Sequence, residues 1–225
     1  MARQKGRAFL NKLRPHPTVP LTPWTAKHRW EFGVKRFFIL AFGLFIFGIG
    51  DSLLIVSGLG NAPWSVLAQG ISSSTSLSVG ESTFLISVVV MLLWLPLRER
   101  PGYGTMANIL IIAVAIDVGI NLIPHTEYFL INLFYVFTGI ALVGVGSALY
   151  ITCGLGPGPR DGTMTAIHKR TGIPVGRVRL GIELCVLAIG FALGGTLGLG
   201  TALFALLIGY SVALSFSVVN RLTAQ

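Results

Sequence analysis

Gly58-Leu59-Gly60-Asn61-Ala62-Pro63 returns 96 residues later as Gly154-Leu155-Gly156-Pro157-Gly158-Pro159. The register holds without a gap on both sides. Gly43 meets Gly139, Gly48 meets Gly144 and Gly50 meets Gly146. Beyond the motif Gly80 meets Gly176, and Gly102-Tyr103-Gly104-Thr105 meets Gly198-Leu199-Gly200-Thr201. Glycine and proline permit or forbid particular backbone dihedrals, so matches of these residues are matches of chain path. Any fold for this chain has to accommodate two copies of one unit. In an apolar chain such internal symmetry is the usual trace of a transporter.

The chain is apolar. Of its 225 residues 53% are hydrophobic and 11% charged, and the mean hydropathy is +0.77. A soluble domain carries about 25% charged residues. The apolar runs 37–56, 105–124, 128–152 and 199–219 each suffice for a membrane span of roughly 20 residues. The runs 83–97 and 180–193 suffice once extended back over Val79-Gly80 and Val175-Gly176. The runs are continuous rather than alternating, which points to helices and away from a β-barrel. The expected fold is an all-α polytopic membrane protein with six transmembrane helices, three per copy. Residues 1–36 form a basic tail, 37–124 the first membrane repeat and 125–221 the second.

Charge supplies the orientation. With residues 1–36 inside, the inner segments are 1–36, 98–104, about 151–179 and the C-terminal end. They hold nine, two, five and one Lys or Arg, which accounts for all 17. That is a positive-inside pattern with both termini cytoplasmic. The net charge of +9 follows from this topology and from attraction to anionic lipid, so nucleic acid is not expected as a partner. The proline-rich tail is expected to be irregular or to lie along the membrane surface, without signal-peptide cleavage. Two cysteines, one near the inner face, argue against a structural disulfide.

Three spans per copy is an odd number, so the second copy starts from the opposite side. The repeats are then inverted, related by a pseudo-two-fold axis in the membrane plane. Each glycine loop leads into a segment too polar to span, 63–71 and 159–168, opened by a proline at a favourable helix-start position. These read as short helices, re-entrant or interfacial. Re-entrant N-termini would turn their amide-rich, partly positive ends toward a ligand. The glycines also fit a plainer role in helix capping and close helix packing.

Charge inside a bilayer costs on the order of 2.5–3.5 kcal/mol at a helix centre, so it marks function or a paired partner. Asp117 stands inside the third span and its mate is Ala213; Asp51 stands in the outer part of the first and its mate is Ser147. Glu183 mates with Ser87, and Arg160-Asp161 replaces Trp64-Ser65. The frame is symmetric while the charges belong to single copies. Plainer readings exist for each: Asp117 pairing with Asn121 or Asn108, Glu183 pairing with Arg179 one turn away, Asp51 solvated near headgroups. Neither a metal cluster nor a nucleophile motif stands out, and neither a cofactor nor an enzymatic activity is expected.

The segment Gly-Leu-Gly-Pro-Gly-Pro-Arg-Asp-Gly (154–162), followed by Thr171-Gly172, Arg177-Val178-Arg179 and Ile182-Glu183-Leu184, resembles the YczE branch of the YczE/YitT family of bacterial membrane proteins. Gly58-Leu59-Gly60 with Pro63-Trp64 fits as well. The resemblance covers most of the chain after residue 36; Pro-Arg-Asp-Gly is its specific part. It implies a multi-helix protein of the bacterial inner membrane and supplies no settled activity. The function expected from the residues is a small secondary transporter for a small polar, anionic solute, with its site between the repeats. Arg160, Asp161, Gly156, Gly158, Gly60 and Trp64 are expected to bind solute; Asp117, Asp51 and Glu183 are expected to couple a proton or cation. A homodimer suits the small size. Rival expectations are a passive channel, or a non-transporting membrane partner such as the substrate-binding subunit of a larger complex.

Overall fold

The computed structural model describes residues 19–223. They are helical, with no strand among the described residues. In chain order the helices are α1 (Val34–Val56), α2 (Pro63–Ser74), α3 (Val79–Leu92), α4 (Trp94–Leu97), α5 (Tyr103–Leu122), α6 (Phe129–Thr152), α7 (Pro159–Thr171), α8 (Val175–Ala192) and α9 (Leu199–Thr223). The starts of α2, α3 and α5 recur 96 residues later as the starts of α7, α8 and α9.

Local sequence explains the boundaries. Pro63 and Pro159 open α2 and α7 at positions whose N–H would be unpaired anyway. Ser78 and Glu81 form a capping box at the head of α3. Pro96 has no N–H for the carbonyl of Leu92, so α3 ends there and α4 resumes after Leu93. Gly172, at φ +71°, terminates α7.

Five helical segments are long and apolar enough to cross a membrane: α1, α3 with α4 (Val79–Leu97), α5, α6 and α9. Their outward faces carry residues such as Leu95, Leu130 and Leu206, each about three-quarters exposed. The remaining expected span corresponds to α8, an 18-residue helix that carries Arg177, Arg179 and Glu183 in its first half.

At the centre α1 and α6 run antiparallel in close contact. Gly43 lies against Gly146, and Gly50 against Gly139. A Cβ on Gly50 would stand 2.8 Å from the Gly139 carbonyl oxygen, and one on Gly139 would stand 2.7 Å from that of Gly50. Only glycine permits this approach, which supplies dispersion contacts that lipid cannot. Around this pair α5 packs on α1 and α9 packs on α6.

The glycine loops dock crosswise. The Gly104 N–H at the head of α5 donates to the Leu155 carbonyl at 2.8 Å; the Gly200 N–H at the head of α9 donates to Leu59 at 2.7 Å. Gly60 and Gly156 both adopt φ +109°, a conformation that side chains rarely adopt.

The described part of the basic tail is an irregular strap over one end. Ala26 N–H donates to the Cys153 carbonyl at 2.9 Å, and Trp24 Nε1 to Thr152 Oγ1 at 3.2 Å. Glu99 takes ion pairs from Arg29 at 3.0 Å and from Lys169 at 3.1 Å. Residues 1–18 lie outside the described residues.

One pair of equivalent helices differs. The face of α3 is docked on α5: a Cβ on Gly80 would meet the Ala113 carbonyl and the Asp117 carboxylate. The equivalent residues in the other half are Gly176 on α8 and Gly209 on α9, and nothing lies within 4 Å of either Cβ position. α8 has no comparable packing on α9; it leans instead on α2, where Gly70 meets Gly190.

Candidate functional site: a charged cavity between α1, α7, α8 and α9

The gap left by α8 opens into a cavity of about 290 Å³. Its wall draws on α1, α2, α3, α5, α6, α7, α8 and α9. One end is buried at Asp51, which is 1% exposed. The other reaches Asp161, which is exposed, and Arg179, whose side chain is 48% exposed.

The first turns of α2 and α7 converge here. α2 belongs to the end of the molecule where Ser74 Oγ donates to the Leu193 carbonyl. α7 belongs to the strap end, where Lys169 pairs with Glu99. Yet the Arg160 guanidinium carbon stands 5.1 Å from the centroid of the Trp64 ring. Positions 64 and 160 are mates at the 96-residue offset. The ring contact is a cation–π interaction, stronger where it is shielded from water, and Trp64 is 8% exposed. Apart from this ring, Arg160 makes no hydrogen bond or ion pair among the described residues. Its guanidinium lies within coulombic reach of Asp51 and Asp161, so its donors are held in place and left free.

Asp51 is the complementary case. Both carboxylate oxygens are buried and without a hydrogen bond of good geometry, although the Ser65 hydroxyl lies close enough to interact. Ser65 Oγ, beside Asp51, and Thr83 Oγ1 are likewise buried without a well-formed hydrogen bond, and Thr83 lines the same cavity. A buried polar atom without a partner costs about 1–3 kcal/mol, more for a charge. The other cavity charges are engaged. Arg179 Nε donates to Glu183 Oε1 at 2.8 Å, and Tyr150 Oη donates to Asp161 Oδ2 at 2.9 Å.

Of the residues singled out in the sequence, Trp64, Gly158, Arg160, Asp161, Asp51 and Glu183 line this one cavity. Gly60 and Gly156 do not; they seat the two loops against α9 and α5. Asp117 is outside it. Its Oδ2 accepts from Ser78 Oγ at 2.6 Å and its Oδ1 from the Gly80 N–H at 2.8 Å, which pins the head of α3 to α5. Asn121 does contact Asp117, through its backbone carbonyl at 2.8 Å. Asp51 is buried in the protein rather than solvated near headgroups: it is 1% exposed and forms part of the cavity wall, with Ser65 of α2 within reach.

The sequence reading missed Tyr150, Ser65 and Thr83. Tyr150 had a signal: a phenol in a span needs a partner for its hydroxyl, and Asp161 lies just past the following loop. Ser65 and Thr83 had none, since hydroxyls in spans usually bond their own helix carbonyls.

The chain matches the model of a family of unknown function, DUF6198, over residues 34–216. It is 44% identical to an uncharacterised protein of Haemophilus influenzae, covering 91% of this chain and 94% of that one. It is 32% identical to the uncharacterised membrane protein YczE of Bacillus subtilis, over 88% and 91% of the two chains. An uncharacterised protein of the same organism, YyaS, shares 31% identity over 83% and 94%. No solved structure matches. The chain is therefore a multi-helix membrane protein of the DUF6198 family, with a YczE protein among its relatives.

Proposed function

We infer that the protein is a small secondary permease built from two inverted repeats, with six spans and its solute site in the Arg160 cavity. The observation that carries this reading is the difference between equivalent halves. α3 is docked on α5 at Gly80, whereas α8 stands off α9 at Gly176 and Gly209. If both halves can adopt both states, exchanging them closes the present opening and creates its mate on the opposite face. That exchange is alternating access in an inverted-repeat frame. Open glycine surfaces on α8 and α9 are suited to such a closure, since small residues allow close helix contact.

With the basic face cytoplasmic, the present form opens inward and the membrane is the bacterial inner membrane. Arg160 holds an anionic group of the solute. Among the carboxylates expected to couple, Asp117 is committed to Ser78 and Gly80, and Glu183 to Arg179. Asp51 is left as the negative pole available to a proton or cation.

The test uses a cysteine pair at Gly176 and Gly209 in protein lacking Cys153 and Cys185. The permease reading expects a short bis-maleimide to link the pair in membranes and to close the cavity to labelling from the basic side. Linking no faster than for a pair at the exposed Leu184 and Leu206 contradicts it.

A further inference from the structure

We propose that the solute is a zwitterion whose anionic and cationic groups sit a few bonds apart, as in an α-amino acid. The proposal rests on the permease reading and names its substrate class. It starts from two charges in one cavity that do not satisfy each other. Arg160 offers unpaired N–H donors and rests on Trp64 at 5.1 Å. Asp51 offers two carboxylate oxygens that lack an ion pair and a well-formed hydrogen bond, with the Ser65 hydroxyl beside them, and is 1% exposed. They lie within coulombic reach but form no ion pair. The remaining charged side chains around them already have partners, Glu183 in Arg179 and Asp161 in Tyr150.

A solute that is only an anion answers Arg160 and leaves Asp51 buried with no counter-charge. A solute that is only a cation does the reverse. Each leaves an uncompensated group in a site shielded from water, which is the costly arrangement. A molecule carrying a carboxylate and an ammonium answers both. The guanidinium fork matches a carboxylate in a bidentate manner. An ammonium has three donors; Asp51 and Thr83 bring buried oxygens without a well-formed hydrogen bond to the cavity wall, and the Ser65 hydroxyl lies beside Asp51. The cation that Asp51 neutralises is then carried by the solute itself. The cavity of about 290 Å³ sets the size class, at the small end of ligand pockets.

The experiment is a thermal-shift and equilibrium-binding screen on detergent-purified full-length protein. The probes are the protein amino acids, their N-acetyl derivatives, their amides, and simple monocarboxylates, phosphate and sulfate. The proposal expects at least one free amino acid to bind, with acetylation and amidation each weakening it by about tenfold or more, the usual cost of leaving a buried charge unanswered. Asp51→Asn should erase the preference for the free amine, and Arg160→Gln the preference for the free carboxylate. Asp51→Asn keeps the side-chain size and removes an unpaired charge, so it is not expected to unfold the protein. If N-acetyl derivatives or monocarboxylates bind as tightly as free amino acids through Arg160, the zwitterion proposal is overturned while the permease reading stands. If no probe binds, or binding survives Arg160→Gln unchanged, the solute-site reading falls with it.

Discussion

Asp51 and Asp117 looked alike as lone carboxylates in apolar spans, and the structure separates them. Asp117 accepts two hydrogen bonds at the head of α3; Asp51 has no well-formed one, only the Ser65 hydroxyl within reach. Their neutral variants should therefore behave in opposite ways. Asp117→Ala removes a cap and leaves Ser78 and Gly80 unanswered, a loss of about 1–2 kcal/mol. Its thermal midpoint should fall while solute affinity is kept. Asp51→Asn removes a buried charge that has no partner, so the solute-free midpoint should hold or rise while solute binding weakens. Such a rise would mark a residue kept for function at the expense of stability. Both measurements are thermal melts with and without solute. A fall in the melt for Asp51→Asn, matching that of Asp117→Ala, would make Asp51 structural. The sequence located both residues but not their roles, because the role depends on what faces the carboxylate across helices.

Element by element, much was legible. The loop glycines and the prolines after them mark the starts of the short helices, and these signals are local; the Ser78–Glu81 capping box at the head of α3 is equally local and emerged only with the structure. The packing of α8 was not legible, because it is a choice between two neighbours, α2 and α9, that a linear pattern does not record. Glycines of identical type now divide by surroundings. Gly50→Val drives a branched side chain into the Gly139 carbonyl, and should cost about 1–3 kcal/mol or more by overpacking. A Cβ at Gly209 meets nothing within 4 Å, so Gly209→Leu enters open space at its root. It should leave the melt unchanged and hold α8 away from α9, seen as persistent labelling of a cysteine at Ser87 from the basic face. The strap carries a pH signature. Burial opposes ionisation of Glu99, but Lys169 and Arg29 outweigh it and hold the carboxyl below its ordinary 4.5. A depressed folded-state pKa means that this contribution is full above about pH 4.5 and is lost as pH falls through the lowered value. Glu99→Gln should lower stability at neutral pH and flatten the acid limb below about pH 4.5, so that the two proteins converge as pH falls. An unchanged acid limb would show that the clasp does not contribute.

For the whole molecule the 96-residue register predicted which parts are equivalent, and the helix starts follow it. It did not predict that equivalent parts would occupy different states, since one sequence alignment describes both docked and undocked helices. That difference is what the proposed transport cycle consists of, and it has meaning only if the two halves are inverted in the bilayer. Ser76 follows α2 and Thr171 is the last residue of α7; both are exposed, and they belong to opposite halves. In protein lacking Cys153 and Cys185, Ser76→Cys and Thr171→Cys should react with a membrane-impermeant maleimide from opposite sides, Thr171→Cys from the basic, cytoplasmic side and Ser76→Cys from outside. Reaction of both from the same compartment would contradict the inverted frame and the access cycle built on it.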